Sequence, residues 1–413
     1  MNNSKYKIVQ LHAALTLVGY WLFQSVFVRI YGETTQLSSI VYEGLQVVLS
    51  IYVLIICKRD SVVFGKKEPI LAFYSVLLIL YSLRVVFDIF FGPFSGKVAP
   101  LTFLQDFLLI VCLTFLAAWA LIASRKWLDV DLIAKLVFWM GIVAIVFIRS
   151  DLQSIGVEAD YTQQRIEVSG GLTSLAVVRL AVFVVIAAIH LLLNTPNHNK
   201  IKYVYLLGLI VGVWMSLASG SRGGVVGLVI ALGLYFIFSS RRSPLLIILA
   251  ILVVVVIVVN IVPILVWISD FFPVFSDRML STILENDQST RDEIRKEAIN
   301  CIYQNPIFGY SYRLYYYTSG YRTHNGILDV ALALGIPMGI LFVYFVYIKT
   351  TFIAIKNMVD KRLFYPTVML LFVLVSSMSS SSITDSGFNF AVCLLCATCC
   401  HGNNRYIGYF SRK

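Results

Sequence analysis

Apolar runs long enough to cross a bilayer recur along almost the whole chain, and nothing constrains its fold more. A helix rises about 1.5 Å per residue, so about 20 apolar residues span a hydrocarbon core of about 30 Å. The run 245–262, LLIILAILVVVVIVVNIV, is the plainest case. About twelve such segments can be marked, roughly at 8–28, 36–57, 69–91, 98–123, 131–149, 171–193, 202–219, 222–239, 243–268, 324–348, 363–381 and 384–401. Inside lipid every backbone N–H and C=O must be satisfied within the structure, which leaves helices for runs of this kind. The expected fold is an all-α integral membrane protein in three parts: helices 1–9 in residues 1–268, a long loop in 269–323, and helices 10–12 in 324–413. No cleavage-site pattern follows an early short apolar stretch, so the first segment reads as a retained helix.

Composition agrees. Of 413 residues, 59% are hydrophobic and only 13% are charged, about half the ~25% of a soluble domain. That excludes a cytosolic enzyme and a disordered chain. The net charge of +11, from 33 basic and 22 acidic residues, raises the question of nucleic acid. Position answers it. Lys and Arg crowd every second connection: Lys5 and Lys7; Lys58, Arg59, Lys66 and Lys67; Arg125 and Lys126; Lys200 and Lys202; Arg241 and Arg242; Lys349, Lys356, Lys361 and Arg362; and Arg405, Arg412 and Lys413. By the positive-inside rule these face the cytoplasm, with both termini. That side then holds 20 basic and 5 acidic residues, against 13 and 17 on the other side. The excess is a topology signal and no nucleic-acid partner is implied. Arginines on the net-acidic outer side need specific anionic partners.

Two outer connections are long, about 150–170 and 269–323, and long ordered loops are usually functional. In the second, TRDEIRKEAINCIY (290–303) reads as a helix with a Thr290/Glu293 capping box. Ile294, Ala298, Cys301 and Ile302 form one apolar stripe, and Arg291 and Arg295 share another face. The helix reads as a lid lying stripe-down. The plain alternative is a solvated face with both arginines paired to Asp292 or Glu297. Six tyrosines follow within 310–321, beginning with Tyr310. Their rings and hydroxyls suit sugar contact, or an interfacial belt. His324 and Asn325 stand at the mouth of helix 10, with Asp329 just over a turn further in. A neutral imidazole is a serviceable proton acceptor.

Ionisable groups within spans are costly and usually mark function. Glu43, Arg84, Asp88, Asp106, Arg179, Arg222 and Asp385 all fall in outer halves, which suggests a polar cavity open to that side, or scattered ion pairs. Arg84 and Asp88, four apart, are expected to pair. In SGSRGGVVGL (219–228) the glycines permit close packing. Arg222 at the start of helix 8 makes an anion site, because helix N–H groups and a guanidinium both favour phosphate. Cys393, Cys396, Cys399 and Cys400 lie in an apolar run and read as packing. No cluster has metal-ligand spacing, so neither a metal nor another cofactor is expected.

Taken in order, Ser221-Arg222-Gly223-Gly224, Arg291, Asn305-Pro306 with Gly309, His324-Asn325 with Leu328, and Leu334-Gly335-Ile336-Pro337 resemble the motifs of the O-antigen ligase and polymerase superfamily. The resemblance covers about 219–340 in motifs, and the rest of the chain only in helix number and topology. It implies a GT-C-like, metal-independent glycosyltransferase of the bacterial inner membrane whose partners are undecaprenyl-diphosphate-linked glycan donor and acceptor, membrane lipid and, for a polymerase, a chain-length regulator. It implies that Arg222 and Arg291 hold the diphosphate and that His324 acts near the acceptor. Around them, Arg295, Asn325, Arg179, Arg84, Glu43, Asp329 and Tyr310 are the expected substrate-binding residues. A polymerase is the first expectation, a ligase the second, and a glycan transporter a distant third, because neither repeat halves nor a charged midplane is visible.

Overall fold

The computed structural model describes residues 3–31, 36–58, 68–94, 100–152, 174–239, 248, 252, 256, 259–284, 290–316, 319–321, 323–378 and 382–400. Its helices in chain order are α1 (Asn3–Tyr31), α2 (Gln36–Ile56), α3 (Pro69–Phe91) and α4, which runs Pro100–Phe107, continues as a π-helix over Leu108–Phe115 and ends as Leu116–Ser124. Then come α5 (Val130–Leu152), α6 (Ser174–Asn194), α7 (Ile201–Ala218), α8 (Arg222–Ser239), α9 (Ile261–Ser269), α10 (Pro273–Leu284) and α11 (Thr290–Gln304). After the strands β1 (Leu314–Tyr316) and β2 (Ser319–Tyr321) follow α12 (Gly326–Leu334), α13 (Ile336–Asn357), α14 (Phe364–Ser377) and α15 (Ser386–Cys400).

The molecule is an all-α, multi-pass membrane protein. Among the described residues nine helices are long and apolar enough to span a bilayer: α1 to α8 and α13. Of the other expected spans, 243–268 lies mostly outside the described residues. The last two are helices of 14 and 15 residues, too short to count by length yet almost wholly buried. They are core rather than lipid-facing. α6 sits centrally, packed by α5, α7, α8 and α14, with 72% of its apolar window buried against 22% for α2. Small residues allow the close crossings: a Cβ on Gly212 would stand 2.8 Å from Val185, and one on Gly208 2.3 Å from Phe138.

Inter-helix ion pairs lie toward the helix ends, while buried polar pairs such as His12 with Ser50 at 3.0 Å and Tyr74 with Asn389 at 2.7 Å join helices within the spans. At one end Arg125 pairs with Glu68 at 2.8 Å, the Tyr6 hydroxyl donates to Asp129 at 2.6 Å, and His190 meets Asp131 at 2.8 Å. At the other lie Arg84, Asp106, Arg179, Arg222, the 305–325 segment and Asp385.

Two expectations need correction. First, 324–348 is not one helix. Gly335 adopts φ 87° and ends α12, its N–H closing on the Ala331 carbonyl at 2.9 Å. The Ile336 N–H donates instead to the Pro306 carbonyl at 2.7 Å, and Pro337, which has no N–H, opens α13. α13 then folds back along α12. A Cβ on Gly339 would lie 3.1 Å from the Ala331 Cβ, whereas eight residues of straight helix would separate them by about 12 Å. A broken helix is therefore present. Second, the outer loop holds an antiparallel hairpin, with Leu314 opposite Tyr321 and Tyr316 opposite Ser319. Part of its signal was in the sequence, since tyrosines favour strands.

Candidate functional site

The N-P-x-x-G and L-G-I-P motifs meet in space. Gly309 takes φ 79°, and a Cβ there would come 2.5 Å from the Ala333 carbonyl carbon. A Cβ on Gly335 would come 2.1 Å from the Ile307 carbonyl oxygen. Backbone bonds from Tyr310 N–H to the Leu332 carbonyl (2.7 Å) and from Ile336 N–H to the Pro306 carbonyl (2.7 Å) complete the joint. The broken helix is thus the socket into which the outer loop plugs.

α11 lies on this joint as expected. Its stripe, Ile294, Ala298, Cys301 and Ile302, is buried against Leu314, Ala331 and Leu332. Burial, then the neighbouring Glu297 carboxylate, pushes the Cys301 thiol up to about 11 from its ordinary 9.0. A raised thiol pKa leaves less of the reactive thiolate near neutral pH. Cys301 is therefore expected to react with maleimide at pH 7.5 at least tenfold slower than a free thiol, read by peptide mass spectrometry. Reaction at the free-thiol rate would mean that α11 does not stay docked.

Arg84 and Asp88 do pair, at 2.8 Å. Arg84 also donates to the Phe308 carbonyl (3.4 Å) and to that of Tyr310, while Asp88 accepts the Tyr312 N–H at 2.8 Å. Asp106 accepts the Tyr312 hydroxyl at 2.8 Å and an Arg313 N–H. These groups fasten residues 308–313 to α3 and α4. Tyr310 lies half-buried edge-on to Phe94, and its hydroxyl is raised above its ordinary pKa, chiefly by burial. Asp88 is 2% exposed, and removing one partner of a buried ion pair costs about 3–5 kcal/mol. Asp88→Ala is expected to make 308–313 sensitive to protease while the spanning helices stay protected. Unchanged cleavage would mean that other contacts hold the loop.

The Thr323–Asn325 turn is wound tightly. The Thr323 hydroxyl donates to Asp329 Oδ1 at 2.5 Å, and the Asn325 N–H donates back to Thr323 Oγ1 at 3.1 Å. Asn325 Oδ1 caps α12, accepting from Ile327 and Leu328 at 3.0 and 3.1 Å. Between them His324 sits at φ 54°, the one non-glycine at positive φ among the described residues. This region costs about 1–2 kcal/mol and recurs at functional sites. Asp329 therefore acts on His324 through the backbone, by holding Thr323. It also borders a small polar cavity with Asp106, Arg313, Ser382 and Thr384.

Two of the remaining residues meet at the end of α14. The Met378 carbonyl accepts from Asn325 Nδ2 at 3.2 Å and from Arg295 Nη2 at 3.4 Å. Arg295 also pairs with Asp292 at 3.4 Å, part of the plain alternative for that face. Gly227 of α8 packs on Ser376 and Phe372 of α14, and Gly224 on Val178 of α6. Val178 precedes Arg179, which pairs with Asp385 at 2.5 Å. The first turns of α8 therefore adjoin both groups. There Arg222 Nη1 donates to the Arg278 carbonyl at 2.6 Å, and Arg278 Nη1 donates to the Gly220 carbonyl at 3.2 Å. Among the described residues Arg222 has no carboxylate partner, unlike Arg84, Arg179, Arg295 and Arg313.

Arg291 lies in the first turn of α11, but its side chain is outside the described residues, as are those of Thr290 and of the tyrosines after Tyr312. Glu43 stays on α2, half-buried, with no hydrogen bond joining it to the other candidates among the described residues. The sequence reading missed Arg278, Arg313 and the Met378 carbonyl; a lone Arg in an unremarkable loop carries no motif. Among the described residues no three His, Cys, Asp or Glu are grouped to hold a metal, and Cys393 and Cys396 are buried in the core.

A family model described as O-Antigen ligase matches residues 207–344, about a third of the chain, from mid-α7 to mid-α13. The match takes in Arg222, α11, the loop joint and the His324 turn. Among curated proteins none matches the chain.

Proposed function

We propose that the chain is a membrane glycosyltransferase that polymerises undecaprenyl-diphosphate-linked oligosaccharide repeat units, for O-antigen or capsule, on the extracytoplasmic side of the bacterial inner membrane. The supporting observation is Arg222: a guanidinium at a helix N-terminus, held by a backbone carbonyl and without a carboxylate partner among the described residues. In the proposed reaction an acceptor hydroxyl loses its proton to His324 while its oxygen bonds the donor's anomeric carbon. The bond from that carbon to the diphosphate breaks, and Arg222, with Arg291 and Arg295, meets the charge that develops on the leaving diphosphate. The Lys and Arg bias of alternate connections supports cytoplasmic termini and an outer site.

The description of the matching family favours a second reading, an O-antigen ligase that moves the finished polysaccharide to lipid A–core. Lipopolysaccharide from a deletion strain separates the two. Core bearing a single repeat is the result expected of a lost polymerase. Bare core, with long chains left on the lipid carrier, would overturn the first reading in favour of the second.

A further inference from the structure

We propose that the Pro306–Gly309 turn is a membrane-surface anchor, with the Ile307 and Phe308 side chains seated among lipid at the bilayer interface. These side chains are 63% and 75% exposed, although the backbone that carries them is firmly held. The Gly309 N–H donates to the Asn305 carbonyl at 3.0 Å, the Pro306 carbonyl accepts from Ile336 at 2.7 Å, and the Phe308 carbonyl accepts from Arg84 at 3.4 Å. The two residues are presented outward by a rigid turn.

What surrounds the turn identifies the partner. It is bonded to the outer ends of two spanning helices, α3 through Arg84 and α13 through Ile336. These helices are neighbours, with Phe73 stacked on Phe345 at 4.6 Å. Both present exposed apolar side chains at that end: Phe87, Phe90 and Phe91 on α3, and Ile336, Ile340 and Leu341 on α13. Exposed apolar faces on spanning helices face lipid. The Arg84 guanidinium lies 5.5 Å over the Phe87 ring while it holds the Phe308 carbonyl, so the turn packs along the last two turns of α3, beside its exposed phenylalanines. The lipid-facing surface of α3 thus continues over Phe308 and Ile307 onto α13. Tyr303, exposed and about a turn earlier in the chain, has the amphipathic ring of an interfacial residue. The partner is therefore bilayer lipid. The anchor sets the height of α11 and of the loop joint above the membrane, whatever reaction occurs there.

The test uses the full-length protein in nanodiscs of phosphatidylethanolamine and phosphatidylglycerol, with no substrate. A photoreactive benzoylphenylalanine replaces Phe308 or, separately, Ile307, and intact mass is read after irradiation. The expected result is a single-lipid adduct at least tenfold more abundant than from the same residue at Glu293, exposed in the first turn of α11. Equal adduct at Phe308 and Glu293, no lipid adduct at either turn position, or a cross-linked dimer as the main product would each overturn the anchor. None of these outcomes touches the glycosyltransferase reading, because no turnover is measured.

Discussion

Arg222→Ala is expected to abolish glycan chain extension while the protein still inserts at normal abundance. Removing a preorganised donor from developing anionic charge typically costs about 10²–10³ in rate, enough to leave no long chains on a gel. The substitution is mild for the fold. The Arg278 carbonyl keeps its hydroxyl partners, Ser281 and Thr282 at 3.1 and 2.8 Å, and the first turn of α8 rests on Gly224 and Gly227. Arg295→Ala is expected to do less, since Asp292 already offsets part of that charge. The same assay tests His324. His324→Asn keeps a residue that tolerates positive φ but removes the base, so extension should fall as far as in His324→Ala. If His324→Asn restores extension, the turn's shape matters and its imidazole does not. Normal long chains from Arg222→Ala would remove that residue from the mechanism.

Gly335→Ala is expected to be the most damaging single-methyl change. A Cβ there would stand 2.1 Å from the Ile307 carbonyl oxygen and 2.5 Å from its carbon, on a backbone at φ 87°. Backbone atoms cannot swing aside as a flexible side chain can. The penalty combines about 1–2 kcal/mol for the left-handed region with about 1–3 kcal/mol for overpacking. The result should be a loop that undocks from the α12–α13 break, with a lower unfolding temperature in detergent and faster Cys301 labelling. Gly233→Ala is the control. It sits inside α8, where a Cβ would meet nothing within 4 Å, and helix propensity favours alanine by about 1 kcal/mol. Equal stability of the two variants would mean that the motif joint contributes nothing.

The spanning helices were legible because each is written locally. Twenty apolar residues in a row have one solution in lipid, and the Lys and Arg bias orders them. The stripe on α11 was legible for the same reason: Ile294, Ala298, Cys301 and Ile302 declare a buried face within a single helix. What they would meet was not legible, since Ala331 and Leu332 lie thirty residues away on a helix that appeared continuous. Gly335 and Pro337 were read as a family signature, yet the physical meaning of that signature is the break, and it needs Pro306 as acceptor for the Ile336 N–H. Arg84 showed its partner four residues on, whereas nothing in the sequence showed what Arg179 would meet.

The sequence by itself determined that this chain is a multi-pass membrane protein and which segments carry the arginines, the histidine and the tyrosines. Period and composition are properties of a segment alone, and the bilayer reads them directly. Only the tertiary structure decided which of those groups are already used. Asp88 lies four residues from Arg84, but Asp385 lies 206 residues from Arg179, and no local pattern records that such a partner exists. Folding brings carboxylates to Arg84, Arg179, Arg295 and Arg313 and a backbone carbonyl to Arg222. Which arginine meets a carboxylate and which a carbonyl is set by contacts between distant segments, and so exists only in three dimensions.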